Sequence, residues 1–83
     1  MQIINAIKKL EKNGFKVVKD ETNGRNYIAG KVGNRHFIEL YEQDGRVCLI
    51  DLRTKGQDDD IMTDYHAGIF CDNISQAIRL ANN

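Results

Sequence analysis

The sequence predicts a small α+β domain in which an antiparallel sheet lies between an N-terminal and a C-terminal helix. Two observations favour this fold class. Apolar residues recur at helical spacing near both ends of the chain, whereas the middle alternates apolar and polar residues between tight-turn dipeptides. A chain of 83 residues has room for one hydrophobic core, so residues 1–83 are expected to form a single domain.

The first predicted element is an amphipathic helix. Ile3, Ile7 and Leu10 recur at i, i+4 and i+7 and form one apolar stripe. Asn13 and Gly14 follow this stripe, and a glycine ends a helix readily because it adopts the left-handed conformation without a steric penalty. We therefore expect the helix to end at Asn13-Gly14.

Four predicted strands follow, and turn signals separate them. Asn23-Gly24, Gly33-Asn34 and Asp44-Gly45 are dipeptides typical of tight hairpin turns, since their residues tolerate a positive φ. Turns of this kind between alternating runs predict an antiparallel meander. The predicted strands cover residues 15–20, 27–32, 36–42 and 46–52.

The end of the chain is predicted to contain a loop, a short fifth strand and the second helix. Residues 53–60 are polar and are predicted to form the loop. Residues 65–70 are predicted to form the strand, and Gly68 in it indicates a bulge or a close approach of the backbone. Asp72 or Asn73 is expected to cap a helix over residues 74–81, and Asn73 and Gln76 have capping-box spacing. The element order is α-β-β-β-β-(β)-α, and both one-sided helices are expected to pack on one sheet face.

The overall charge argues against a general polyanion binder. Twelve basic residues balance twelve acidic residues. Residues 1–40 hold eight basic and four acidic residues and residues 41–83 hold the reverse, so the halves carry +4 and −4. Such a split produces a dipolar surface if the halves lie apart, but a meander places early and late residues side by side, and we expect the fields largely to cancel.

The sequence contains no sign of an oxidising compartment or a membrane. Cys48 and Cys71 lie in apolar runs without C-x-x-C spacing, so we expect two small buried thiols. No basic leader precedes an apolar block, and no run approaches the roughly 18 apolar residues that span a bilayer. The expectation is a cytoplasmic protein.

An acidic segment near residue 60 allows two interpretations. Asp58, Asp59, Asp60 and Asp64 place four carboxylates in seven residues, and such oxygen ligands suit Mg²⁺ or Ca²⁺. The ligand order of an EF-hand loop is absent, however. We therefore favour a solvated acidic loop over a metal-dependent activity.

The residues next to this loop contain acid–base types without a catalytic pattern. On a strand, Asp64 and His66 share one side while Tyr65 points to the other. No motif places a serine or cysteine nucleophile with them, and His36 does not complete a zinc-ligand spacing. We predict that the chain is not an enzyme and carries no metal or cofactor.

Nucleic-acid binding is the alternative function. The helix–meander–helix order is similar to that of the double-stranded RNA-binding domain, which docks phosphates with a basic cluster at the start of its last helix. The corresponding residues 72–76 contain no Lys or Arg. Lys8, Lys9, Lys12 and Lys16 would form either a phosphate-binding patch or simply the solvated side of the first helix.

Residues 60–65 include Met62-Thr63-Asp64-Tyr65, and an aromatic strand at 68–70 and a short helix follow them. In this pattern the last third of the chain resembles small proteins and polyvalent-protein modules of bacteriophages and conjugative elements. The resemblance implies a mobile-element setting, in which small cytosolic accessory domains bind host or phage proteins. It brings no catalytic residues with it.

We therefore expect a non-enzymatic domain that binds a protein through the sheet face or edge that the helices leave uncovered. On the third strand, Phe37 and Tyr41 should lie on the side away from the core residues Ile38 and Leu40. Exposed aromatic residues are typical interface anchors. In the alternative interpretation, these two side chains cover each other in cross-strand pairs on a face that is only partly exposed to solvent. The candidate partner-binding residues are Tyr27, Phe37, Tyr41, Asp58, Asp59, Asp60, Asp64, Tyr65 and His66.

Overall fold

A computed structural model describes residues 1–22, 24, 26–55 and 68–83, and it confirms the predicted α+β meander. Five antiparallel strands form one sheet in the order β1-β2-β3-β4-β5, so neighbours in sequence are neighbours in space. The helices and strands are α1 (Ile3–Lys12), β1 (Lys16–Lys19), β2 (Asn26–Gly30), β3 (His36–Gln43), β4 (Arg46–Thr54), β5 (Ile69–Phe70) and α2 (Ile74–Ala81).

The turn signal at Asp44-Gly45 and the cap signal at Asn73 have the predicted geometry, whereas Asn23 of the first turn signal lies outside the described residues. Asp44 and Gly45 both have a positive φ, of 53° and 79°, as the tight turn between β3 and β4 requires. The backbone N–H of Gln76 donates to Asn73 Oδ1 at 2.8 Å, which confirms Asn73 as the N-cap of α2. Gln76 Oε1 accepts from the backbone N–H of Asp72 at 2.7 Å, so the second bond of the cap goes to the residue before Asn73.

Strand β4 is longer than predicted and contains a β-bulge. Arg53 and Thr54, which were expected in a loop, continue the ladder opposite Phe37 and His36. Near the hairpin turn the pairing shifts by one residue, because Cys48 has no register partner on β3. Cys48 is exposed, so the prediction that it is buried is wrong.

Both helices pack on one side of the sheet, which we call the helix face. Helix α1 contacts β1, β4 and α2, whereas α2 contacts β3 and β4. The apolar stripes of both helices meet the apolar positions of the strands because the helical and strand periods each direct one set of side chains inward. The buried residues of this core are Ala6, Leu10, Phe15, Ala29, Ile38, Leu40, Ile50, Leu52, Ile74, Ala77, Ile78 and Ala81.

The opposite side of the sheet, which we call the ionic face, also buries side chains. One row crosses it from β1 to β5, in which Val18, Ile28, Glu39, Asp51 and Phe70 are successive register partners. The three central members of this row are buried, whereas Val18 and Phe70 at its two ends are exposed. The ionic face is therefore closed in its centre and open at both sheet edges.

Candidate functional site

Three charged side chains lie together in the centre of the ionic face. Asp51 and Arg53 are two residues apart on β4 and so point to the same side, and Glu39 on β3 is the register partner of Asp51. Arg53 Nη2 lies 2.9 Å from Asp51 Oδ2, and Arg53 Nε lies 2.8 Å from Glu39 Oε1. One guanidinium thus holds two buried carboxylates, and we call these three residues with Asn26 and Tyr41 the Arg53 cluster.

Asn26 and Tyr41 complete the cluster from the side of β2 and β3. Asn26 Nδ2 donates to Glu39 Oε2 at 2.9 Å, so both carboxylate oxygens of Glu39 have a partner. Arg53 Nη2 donates to the Tyr41 hydroxyl at 3.4 Å. Because buried polar groups are costly unless they are paired, these contacts explain how charged side chains are accommodated there.

The protonation preferences of the cluster follow from burial and mutual charge. Burial raises the pKa of Asp51, Arg53 opposes this rise, and the negative charge of Glu39 adds to it. Burial acts to lower the pKa of Arg53, but the hydrogen bond with Tyr41 and the charges of both carboxylates outweigh it, so that pKa lies above its usual range. Arg53 therefore stays protonated.

Gly68, just before β5, lies directly against Asp51. A Cβ atom at Gly68 would overlap Asp51 Oδ1, so no larger residue fits without a shift. The prediction of a close backbone approach at Gly68 is thereby confirmed, although the sequence did not identify its neighbour. Asp51 Oδ1 is buried and has no hydrogen-bond partner among the described residues.

A groove runs along the β1 side of the ionic face. Its volume is about 330 Å³. Val18, which is 42% exposed, lines it together with the buried Ile28, so apolar surface meets solvent there. The other lining residues are Lys16, Gly30, Lys31, Val32 and Lys55, and the groove therefore has an apolar interior with a basic rim.

The opposite edge of the sheet presents apolar side chains with little cover. Ile69 and Phe70 of β5 are 62% and 72% exposed. They pair with Leu52 and Asp51 of β4 on one side only, since β5 is the last strand of the described sheet. This edge carries the most exposed aromatic side chain among those described.

The aromatic anchors predicted from the sequence are not exposed together. Phe37 is 1% exposed, so the prediction that it is exposed on the uncovered face is wrong. That face is closed to solvent in its centre, where Glu39 and Asp51 are buried as well. Tyr27 pairs with Leu40 and packs against the core on the helix face, away from Phe37. Tyr41 is half-buried in the Arg53 cluster.

The remaining predicted site residues lie outside the part of the chain that the structure describes. They are Asp58, Asp59, Asp60, Asp64, Tyr65 and His66. Among the described residues, no three His, Cys, Asp or Glu side chains are grouped as metal ligands. Within the same residues, no helix combines the length and hydrophobicity needed to cross a membrane.

Neither the Arg53 cluster nor the exposed edge residues were among the candidate sites predicted from the sequence. A signal was present, since Asp51 and Arg53 are opposite charges with i, i+2 spacing at the end of an apolar run. No protein-family model, curated protein or solved structure matches the chain.

Proposed function

We propose that the chain is a non-enzymatic domain that acts by binding a protein, as an accessory or inhibitor protein of a mobile element would. The observation that carries the proposal is the exposure of Ile69 and Phe70 on an edge strand. Large apolar side chains at such an edge gain free energy when a partner removes them from water. Aromatic side chains in this position are typical anchors of protein interfaces.

The sheet edges are better contact surfaces than the centre of the ionic face. Phe37, Glu39 and Asp51 are buried there, so a partner cannot reach them without a rearrangement. The exposed apolar residues Val18 and Phe70 lie at the two ends of the row that crosses this face. A partner is therefore expected to meet the domain along its edges.

The contacts of the Arg53 cluster support a structural role for it. Arg53 bridges Glu39 and Asp51 and also donates to Tyr41, so its guanidinium is directed at groups of the fold. A substrate-binding arginine instead directs its paired donors toward a ligand. This arrangement supports a binding domain over an enzyme.

Affinity capture from a bacterial lysate, with and without nuclease, tests the proposal. The bait proteins are the parent chain, Phe70→Ser and the control Ile4→Ser, which removes a side chain of similar exposure (55%) from α1. A protein should be captured in stoichiometric amount by the parent and by Ile4→Ser after nuclease treatment, and Phe70→Ser should lose it. Circular dichroism melts check that both variants are folded.

Two results would contradict the proposal. Loss of every captured protein on nuclease treatment would favour nucleic-acid binding. Equal capture by the parent and Phe70→Ser, with loss in Ile4→Ser, would move the contact surface to the helix side of the molecule.

A further inference from the structure

Among the described residues, a definite set of backbone groups on the outer edge of β1 has no hydrogen-bond partner. Asp20 N–H donates to the carbonyl of Asn26 at 2.9 Å, and these two residues continue the register in which Val18 faces Ile28. Hydrogen-bonded and non-hydrogen-bonded pairs alternate along an antiparallel ladder. Lys16 and Val18 therefore bond to β2, whereas the N–H and C=O groups of Val17 and Lys19 point away from the sheet.

The side chains of β1 form a symmetric pattern along this edge. The strand reads Lys16-Val17-Val18-Lys19, with one lysine at each end and two valines between them. Lys16 and Val18 line the groove on the ionic face, whereas Val17 packs against the core of the helix face. Lys16, Val18 and Lys19 are exposed and Val17 is half-buried, so each is accessible to an added strand.

We infer that β1 accepts an extended segment of a protein partner as a sixth strand, and that the segment has the order acidic-apolar-apolar-acidic. This inference rests on the proposed protein-binding function and specifies the chemistry of one partner segment. Main-chain bonds to Val17 and Lys19 would supply the pairing. Directly opposite residues interact most strongly, so a carboxylate falls opposite each lysine and an apolar side chain opposite each valine.

The basic rim of the groove favours the same partner. Lys16 and Lys55 both line the groove, so an acidic residue opposite Lys16 enters a region of positive potential. Lys31 contributes less, because its ammonium group donates to the carbonyl of Asn13 at 3.3 Å. Lys19 lies 5.8 Å from the centre of the Tyr27 ring but has no such hydrogen bond among the described residues.

A synthetic hexapeptide provides the direct test. Acetyl-Gly-Glu-Val-Ile-Glu-Gly-amide is titrated into the ¹⁵N-labelled full chain and followed by ¹H–¹⁵N correlation spectra. The amide signals of Val17 and Lys19 should shift more than those of Lys16 and Val18, because only the former amides face the added strand. The control peptide, in which lysine replaces both glutamates, should leave these signals unchanged.

Charge reversal on β1 provides the matched control. The double variant Lys16→Glu/Lys19→Glu should weaken binding of the acidic peptide by about fivefold or more and gain binding of the lysine peptide. Lys8→Glu/Lys12→Glu, on exposed positions of α1, changes the net charge equally and should keep the original preference. Equal responses of the two double variants would show a general charge effect and overturn the inference.

Failure of this inference can be told apart from failure of the proposed function. If the acidic peptide causes no shift at β1 while Phe70→Ser still loses a captured protein, the proposed strand is wrong and the protein-binding function stands. If the peptide shifts Val17 and Lys19 but Phe70→Ser captures as well as the parent, the β1 edge binds and the β5 edge does not.

Discussion

The two faces of the sheet are both buried in their centres, but they are buried by different means. On the helix face, Ile38 and Leu40 meet the apolar stripes of two helices, which is non-directional burial of apolar area. On the ionic face, Glu39 and Asp51 are buried around one guanidinium, which requires paired charges at short distances. Polar residues at alternate strand positions therefore do not always mark a face that is open to solvent.

This difference affects how each face should respond to substitution. The stabilisation from apolar burial declines gradually as methylene groups are removed. An ion cluster instead loses much of its stabilisation at once when removal of one partner leaves the other charges buried and unpaired. Substitutions on the two faces should therefore separate these two kinds of burial.

Truncation of Phe37 should have the largest effect on stability. Phe37→Ala is expected to lower the free energy of unfolding by about 3–5 kcal/mol, as much as Leu40→Ala on the helix face, because both side chains are buried. Denaturant unfolding measures both values. Phe37→Leu provides a milder change if the alanine variant does not fold. A cost below about 1 kcal/mol for Phe37→Ala would show that the ionic face is open to solvent.

Removal of the Arg53 charge should come next. Arg53→Met keeps much of the side-chain length but leaves Glu39 and Asp51 without the cation that bridges them. Breaking a fully buried pair costs about 3–5 kcal/mol, and the exposed 15% of this side chain should reduce that figure somewhat. Urea unfolding at neutral pH measures the loss, with Arg79→Met on exposed α2 surface as control. Equal stability of these two variants would contradict the role given to Arg53.

A methyl group at Gly68 should have an intermediate effect. Gly68→Ala would drive a Cβ atom into Asp51 Oδ1, and overpacking of this kind costs about 1–3 kcal/mol. Asp51→Ser removes the obstructing oxygen, so the cost of Gly68→Ala should be smaller in that background. A double-mutant cycle measures the coupling. Additive costs would mean that the two residues do not touch.

The titration of Asp51 should have the smallest effect. Because burial raises its pKa in the folded state, the folded chain holds a proton there more tightly than the unfolded chain does. The contribution of Asp51 to stability is therefore greatest below its usual pKa of 3.8 and is lost as the pH rises through the folded-state pKa.

The corresponding measurement compares unfolding free energies of the parent and Asp51→Asn across the acidic pH range. The parent should gain stability relative to the variant as the pH falls, and the exposed Asp44→Asn should serve as the control. A relative loss of stability in the parent on acidification would indicate a carboxylate whose pKa is lowered, as in an ordinary salt bridge.

The fold could be predicted from the sequence because its signals are local. The stripe of Ile3, Ile7 and Leu10, the cap at Asn73 and the turn at Asp44-Gly45 each depend on residues within a few positions. Together with the alternation of the strands, they are sufficient to predict two helices on one face of a meander.

The Arg53 cluster could not be predicted in the same way, because it depends on strand register. The bulge at Cys48 moves Asp51 opposite Glu39, whereas an uninterrupted ladder from the hairpin turn would set Ile50 there and turn Asp51 to the helix face. One extra residue thus decides which side chains meet. The polar character of Arg53 also favoured a loop, whereas its ion pairs hold it in the strand.

Hydroxyl-radical footprinting, read by mass spectrometry, tests most directly whether the centre of the ionic face is closed while the sheet edge is open. It compares two phenylalanines of equal intrinsic reactivity, Phe37 at 1% and Phe70 at 72% exposure. Phe70 should be labelled in the free protein and protected by a captured partner, with Phe37 unlabelled in both states. Labelling of Phe37 to the same extent as Phe70 in the free protein would contradict the closed centre. It would indicate that the sheet face, not only its edge, is available to a partner.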